Sequence, residues 1–233
     1  MTDEPAADAS SRETTTSWRE LAVARSLDPA RVRAEKRVQR FLDAALELMM
    51  NSSGKEFTVQ DVVERSGQSL RSFYLYFAGK YELLLALFEE SVRSTAAHLE
   101  QVVADDDEPL ARLRRFTVEY YRLCQPSPKA RSAAKAPGPA MAEFAQQLLT
   151  QHPKEASRAF VPLVEILEQL LDDAAAAGAI RSGLPHRRLA GIMLQSVMFN
   201  LFAATISGSP AGEDDGERAD EYWDLVLRGI APA

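Results

Sequence analysis

Within the fifteen residues SGQSLRSFYLYFAGK, from Ser66 to Lys80, stand one guanidinium (Arg71), the hydroxyls of Ser69, Ser72 and Tyr74, and four aromatic rings. Nothing in this set breaks a covalent bond unaided; its chemistry is recognition. An arginine can donate two parallel hydrogen bonds to a guanine edge, and hydroxyls such as those of Ser72 and Tyr74 can hold phosphates or touch a thymine methyl. Gly67 and Gly79 interrupt the chain at both ends, so the intervening helix must be short. Phe73 and Phe77 are four residues apart, lie one above the other, and can plug a core formed by Val62, Val63, Phe41 and Leu42. Leu70, Arg71, Ser72, Tyr74 and Tyr76 spread round the remaining surface. The expectation is a short helix anchored by its rings, so that its other side can enter a major groove.

No constellation elsewhere suggests catalysis. His98, His152 and His186 are scattered without ligand spacing, no glycine-rich phosphate loop exists, and Cys124 has no histidine near it in sequence. Asp105-Asp106-Asp107-Glu108 could attract a divalent cation, but it lacks the alternating ligands and the glycine of a calcium loop and reads as a solvated acidic loop. The expectation is a protein that is not an enzyme, with no catalytic residue, no metal and no cofactor.

Holding a recognition helix in place requires a support, and the apolar periodicity supplies one. Residues 1–17 are rich in Thr, Ser, Ala and Asp and are expected to be disordered. Residues 18–26 read as a short helix of unassigned purpose. Asp28-Pro29 reads as a helix start, after which Val38, Phe41, Leu42, Ala45, Leu48 and Met49 recur at helical spacing as far as Asn51-Ser52-Ser53-Gly54. Thr58-Val59-Gln60-Asp61 is a capping box in its Asp form, with Val59, Val62 and Val63 on one face behind it. Two short helices joined by a Ser-Gly turn behind a longer one make a helix-turn-helix. A helix over 81–99 follows, with Leu84, Leu85, Leu87 and Phe88 as its apolar side. The acidic loop leads into a helix over 110–123. Four prolines and a glycine in 125–139 impose a break, and helices are expected over 140–151, 154–178, 185–206 and 218–230. No useful strand alternation occurs, so the chain is expected to be all-α.

The chain of 233 residues carries a formal charge of −7, which argues against a general polyanion binder. The charge is unevenly spread: residues 31–80 hold nine basic groups and six acidic ones, whereas 81–233 hold 15 basic and 22 acidic. A basic segment joined to an acidic body fits a protein that meets a polyanion with one part only. The run Arg25, Arg31, Arg33, Lys36, Arg37 and Arg40 reads either as a solvated helix face or as an arm for phosphates or a minor groove, with Glu35 set among the basic residues. A single cysteine and an acidic, polar N-terminus without an apolar leader fit a cytoplasmic protein. Leu189 to Ile206 runs eighteen residues without a charge, but Gln195, Ser196, Asn200 and Thr205 interrupt it, so a buried helix is expected rather than a membrane span.

The pattern from Arg37 through Ala44-Ala45, Phe57-Thr58-Val59, Asp61-Val62-Val63, Ser66-Gly67, Ser69, Phe73-Tyr74, Phe77, Lys80 and Glu82-Leu83 resembles the tetracycline-repressor (TetR) family of bacterial regulators over roughly residues 36–90. That resemblance implies an N-terminal three-helix helix-turn-helix domain and a C-terminal helical domain that binds an effector and dimerises. The domain reading is a flexible extension over 1–28, the helix-turn-helix domain over 29–80, a connecting helix over 81–99, and a ligand-binding and dimerisation domain over 100–233. The resemblance implies phosphate contacts for Thr58 and Lys80, and base-reading positions for Gln60, Leu70, Arg71 and Tyr76. It puts Ser72 and Tyr74 on the backbone or a thymine methyl, with Arg37 and Ser69 completing the DNA-binding set. Two positions depart from the family pattern: Gln68 replaces a small apolar residue in the turn, and Tyr76 stands where histidine is common.

The same resemblance makes the rest of the chain the home of a small-molecule effector, expected to be apolar or aromatic, lined by Phe116, Tyr120, Tyr121, Cys124, Met141, Phe144, Phe160, Leu163 and Met193. Arg112, Arg114, Arg115 and Arg122 would let that molecule carry an anionic group, or else pair with the acidic surface. Helices 185–206 and 218–230 are expected to form a homodimer bundle through Leu194, Met198, Phe199, Phe202, Trp223 and Leu227. The expected partners are double-stranded operator DNA, the effector and a second copy, without a membrane. The competing class is a helical adaptor whose hairpin binds protein.

Overall fold

The computed structural model describes residues 18–51, 57–124, 139–206 and 215–232, with side chains described for 29–50, 57–124, 144–200 and 216–232. Among these residues every regular element is a helix: α1 (Trp18–Asn51), α2 (Val59–Ser66), α3 (Leu70–Tyr76), α4 (Lys80–Val103), α5 (Pro109–Cys124), α6 (Pro139–Gln151), α7 (Pro153–Ala176), α8 (His186–Ile206) and α9 (Asp215–Ile230). The chain is all-α. The expectations for residues 1–17, and for most of the 125–139 break, lie outside the described residues. By packing the chain divides into residues 1–40 and residues 41–233.

In the first unit, α1 begins at Trp18 and takes Pro29 into its interior. The sequence suggested a short helix ending at Ser26 and a fresh start at Asp28-Pro29; the structure joins them. The proline ring fixes φ near the helical value, and its missing N–H removes one bond to the preceding turn, which the Ala-, Leu- and Arg-rich neighbours on either side tolerate. Arg31 donates through Nε to Glu35 Oε1 at 2.8 Å, an i,i+4 pair on the surface.

The second unit starts with the buried stripe of α1, where Phe41, Leu42, Ala44, Ala45 and Met49 turn inward at helical spacing. The capping box forms as expected. Thr58 accepts from the Asp61 N–H, and the Asp61 carboxylate accepts from the Thr58 N–H at 2.7 Å and hydroxyl at 2.8 Å. These two bonds, backbone first, hold the Asp61 carboxyl below its ordinary value, with Lys80 adding a smaller electrostatic contribution. α2 ends on Gly67 at φ 64°, a left-handed turn that an L side chain would strain, so the sharp angle into α3 depends on glycine. Arg65 on α2 reaches back to Glu47 on α1 at 2.6 Å.

Beyond the hairpin, α4 buries Leu83, Leu87, Phe88, Val92, Ala96, Leu99 and Val103. Leu84 and Leu85, expected on the apolar side, are only half-buried: the inward stripe follows the i, i+4 ladder from Leu83, one residue earlier than the sequence suggested. Glu108 accepts from the N–H groups of Leu110 and Ala111 and so caps α5. α4 packs on α5 and α7, α7 on α6 and α8, and α9 on α5. The uncharged stretch of α8 turns Ala190, Met193, Leu194, Val197 and Met198 inward. No described helix is long and apolar enough to cross a membrane.

Candidate functional site

Helix α3 is only seven residues long, and its ends are held locally. Ser69, in an extended conformation, accepts from the Ser72 N–H at 3.1 Å, and the Phe77 N–H donates to the Phe73 carbonyl at 3.0 Å. Its inner side is aromatic. Phe73 is fully buried and meets Phe41 edge-to-face at 5.4 Å, Phe77 packs at 5.4 Å from Phe73, and Phe41 also reaches Phe77 at 6.2 Å. A helix too short to be stable alone is thereby fixed by three rings on one side.

The opposite side is open. Leu70, Arg71, Tyr74 and Leu75 stand at i, i+1, i+4 and i+5, and all four are exposed, Leu75 most at 73%. Leu75 was missed by the sequence reading, although its place one turn after Arg71 was a usable signal. Ser72 and Tyr76, expected on this surface, are half-buried instead. At 100° per residue both fall on the flank beside Phe73, and the Ser72 hydroxyl is enclosed with no partner among the described residues.

Of the remaining DNA-binding candidates, Thr58 is exposed but commits its hydroxyl to Asp61. Gln60 is exposed and donates to Glu64 at 3.0 Å. Lys80 opens α4 with its ammonium 4.6 Å from the centre of the Phe57 ring, a cation–π contact that aims the charge. Arg37 is exposed on α1, in the first unit.

The effector candidates separate into two groups. Phe116 and Tyr120 stack at 6.2 Å, and Tyr121 stacks on Tyr222 at 5.4 Å. The Tyr222 hydroxyl lies 2.6 Å from that of Ser196 and donates to the Met193 carbonyl at 3.0 Å, so α5, α8 and α9 meet around a small polar centre inside an apolar cluster. Ser196 and Tyr222 were not anticipated. Cys124 is partly exposed as a residue, yet burial of its thiol pushes the pKa up to about 12, and the bond to Tyr120 only partly opposes this. Burial also raises Tyr120 well above the ordinary value. In the second group, Phe88 packs against Phe144 at 6.3 Å and Phe160 at 5.5 Å, while Tyr81 meets Phe144 at 5.9 Å and His152 at 4.8 Å. Leu163 is buried on α7, and the side chain of Met141 lies outside those described.

Three of the four arginines considered for an anionic ligand are engaged elsewhere. Arg112 pairs with Asp173 at 3.2 Å, Arg114 with Asp220 at 2.6 Å and Arg115 with Asp106 at 3.1 Å. Among the described residues no group of three or more potential metal ligands occurs.

The expected dimer residues also divide. Leu194 and Met198 line a half-open groove of about 370 Å³ between α7 and α8, together with Phe160, Val161 and Val164. Phe199 is 55% exposed, and nearby Ile192 is 56% exposed. Trp223, however, is buried within the protomer, on a helix that packs against α5, and Leu227 is half-buried. Within the protomer α8 packs on α7 and α9 on α5, with Trp223 and Ala219 turned inward, while Leu225 of α9 is 70% exposed. The Phe202 side chain lies outside those described.

Residues 41–87, which span these anchoring rings and the open face of α3, match the sequence model of bacterial regulatory proteins of the tetR family. No curated protein sequence matches the chain. Among solved structures, the chain is similar to the fatty acid degradation regulator FadR from Bacillus halodurans (15% identity, 82% of this chain and 94% of that one, TM-score 0.63). It is similar to FadR from Bacillus subtilis in complex with stearoyl-CoA (18% identity, 82% and 98%, TM-score 0.62). It is also similar to SmeT, the repressor of the Stenotrophomonas maltophilia multidrug efflux pump SmeDEF (18% identity, 84% and 90%, TM-score 0.59). At such identities the likeness is one of fold.

Proposed function

From the premise that residues 41–87 make this chain a tetR-family DNA-binding regulator, we propose that it is a repressor, released from its operator by an apolar or aromatic small molecule. The observation that carries the DNA half is the two-sided α3, with Phe73 and Phe77 buried and Leu70, Arg71, Tyr74 and Leu75 displayed. Arg71 reads a guanine edge, and Leu70, Tyr74 and Leu75 offer apolar surface to thymine methyls and sugars. Lys80, aimed by Phe57, holds a phosphate without reading sequence. Two such helices must lie one DNA turn apart, roughly 34–36 Å, so the active form is a two-fold dimer.

These roles separate in a gel-shift titration with DNA from upstream of the protein's own gene. Arg71→Ala is expected to cost about 1–3 kcal/mol on the cognate site and to relax preference at one base pair. Lys80→Ala should weaken cognate and random DNA alike and make the salt dependence shallower by about one unit. Identical behaviour of the two variants on both DNAs overturns the assignment.

For the effector half, the Tyr81–Phe144–Phe88–Phe160 cluster couples the first turns of α4 to α6 and α7. α4 follows α3 directly in the chain, so a ligand that displaces Phe144 or Phe160 shifts the element from which the recognition helix projects. The stearoyl-CoA complex of a fold relative supports a ligand with a long apolar chain, although its coenzyme A part is anionic. The ligand must favour the DNA-free arrangement, since equal affinity for both shifts nothing. A panel of acyl, aromatic and polycyclic compounds is expected to contain members that raise the melting temperature and release operator DNA together. Compounds that stabilise the protein yet leave operator affinity unchanged would show binding without a switch and sink the proposal.

A further inference from the structure

Arg33, Lys36, Arg37 and Arg40 stand at i, i+3, i+4 and i+7 of α1, so they share one face of the helix within the first unit. All four are exposed, and none is engaged in an ion pair among the described residues. Glu35, the acid that interrupts this run in sequence, is taken up by Arg31, and both lie on the opposite side of the helix. Structure thus sorts the run into a neutral pair on one side and a pure cation stripe on the other. Each neighbouring pair in the stripe (33–36, 33–37, 36–40, 37–40) is a like-charge contact that destabilises a helix in water. In the second unit Arg112, Arg114, Arg115 and Arg187 each meet a carboxylate. Four unopposed cations over roughly 10 Å of helix, in a chain of net charge −7, fit a dense line of negative charge, and duplex DNA carries one such charge per about 1.7 Å.

We infer that Arg33, Lys36, Arg37 and Arg40 form a phosphate track, a second DNA contact that adds affinity without sequence preference. This rests on the DNA-binding function proposed above and adds to the recognition helix a contact from the first helix, α1. The track treats its ligand as a row of point charges, so lysine can replace arginine, whereas a planar bidentate or minor-groove contact would require the guanidinium.

The test uses the full-length protein and measures affinity for a random-sequence duplex and for the upstream DNA between roughly 50 and 200 mM salt. The variant Arg33→Gln/Lys36→Gln/Arg37→Gln/Arg40→Gln alters only exposed positions and keeps good helix formers, which circular dichroism and a melting curve check. It is expected to lose affinity for both duplexes by the same factor. The slope of log K against log salt should become shallower by about 0.9 unit per phosphate released, about 3–4 units per protomer. The companion variant Arg33→Lys/Arg37→Lys/Arg40→Lys should keep the wild-type slope. An unchanged slope in the glutamine variant overturns the track; if Arg71→Ala still loses base preference in the same assay, the DNA-reading function stands without it. A lysine variant that loses the slope overturns phosphate binding as the role of the stripe. Wild-type protein that binds neither duplex removes both proposals at once.

Discussion

Phe73→Ala is expected to destabilise the helix-turn-helix by about 3–5 kcal/mol and to abolish operator binding. Phe73 is fully buried, and its ring is the common partner of Phe41, Phe77 and Tyr74. Removing it leaves a cavity beside Phe41 and Phe77, where α3 packs on α1. A seven-residue helix cannot offset that loss, because a helix of this length is unstable in water without its packed face. Leu75→Ala is the control. Leu75 is 73% exposed, so its truncation should change stability by no more than about 0.5 kcal/mol while still weakening operator binding. Urea unfolding followed by circular dichroism, paired with gel-shift titration, checks both variants. Phe73→Ala that loses less than about 1 kcal/mol and still binds would show that the rings do not anchor the helix. Leu75→Ala that binds like wild type would take the displayed face out of contact with DNA.

The contrast between these two residues shows what the sequence could reveal and what it could not. Phe73 and Phe77 were legible because burial of rings at i, i+4 follows from helix geometry alone, and the Thr58–Asp61 box and the Gly67 turn follow from local hydrogen bonding and backbone sterics. The displayed face was legible only in part. Leu75 has no polar group to announce a surface role, whereas Ser72 and Tyr76 have the right chemistry on the wrong flank. In the second unit the helices were readable from periodicity, but their partners were not. A helix with one apolar stripe fits several neighbours equally well, and nothing in the sequence of 218–230 says that Trp223 turns toward α5 rather than toward a second chain. Glu35 illustrates the same limit on a smaller scale: its nearest charged neighbours in sequence, Arg33 and Lys36, are both basic, and only the helical turn shows that it belongs to Arg31.

The dimer prediction keeps to the last two long helices. On α9 Leu225 is 70% exposed, and on α8 Ile192 and Phe199 are each more than half exposed beside the groove lined by Val161, Val164, Leu194 and Met198, so both helices keep apolar surface for a second copy. A two-fold axis running through this surface would set α8 and α9 of one protomer against those of its partner, burying the same residues twice. The combined change Ile192→Glu/Phe199→Glu is therefore expected to dissociate the dimer. Four carboxylates would have to be desolvated without partners at one interface, a cost of several kcal/mol and thus at least a ~1000-fold rise in the dimer dissociation constant. Both residues are solvent-exposed within the protomer, so its own fold and melting curve should change little. Met198→Glu would not give so clean a result, because Met198 is 8% exposed and a charge there would disturb the protomer itself. Sedimentation at micromolar concentration should show a monomer. Gel shifts should then show each protomer binding a half-site on its own, with the steep, two-fold operator binding lost. A double variant that stays dimeric places the interface elsewhere. One that becomes monomeric yet holds the full operator with wild-type affinity breaks the link between dimerisation and the spacing of the two recognition helices.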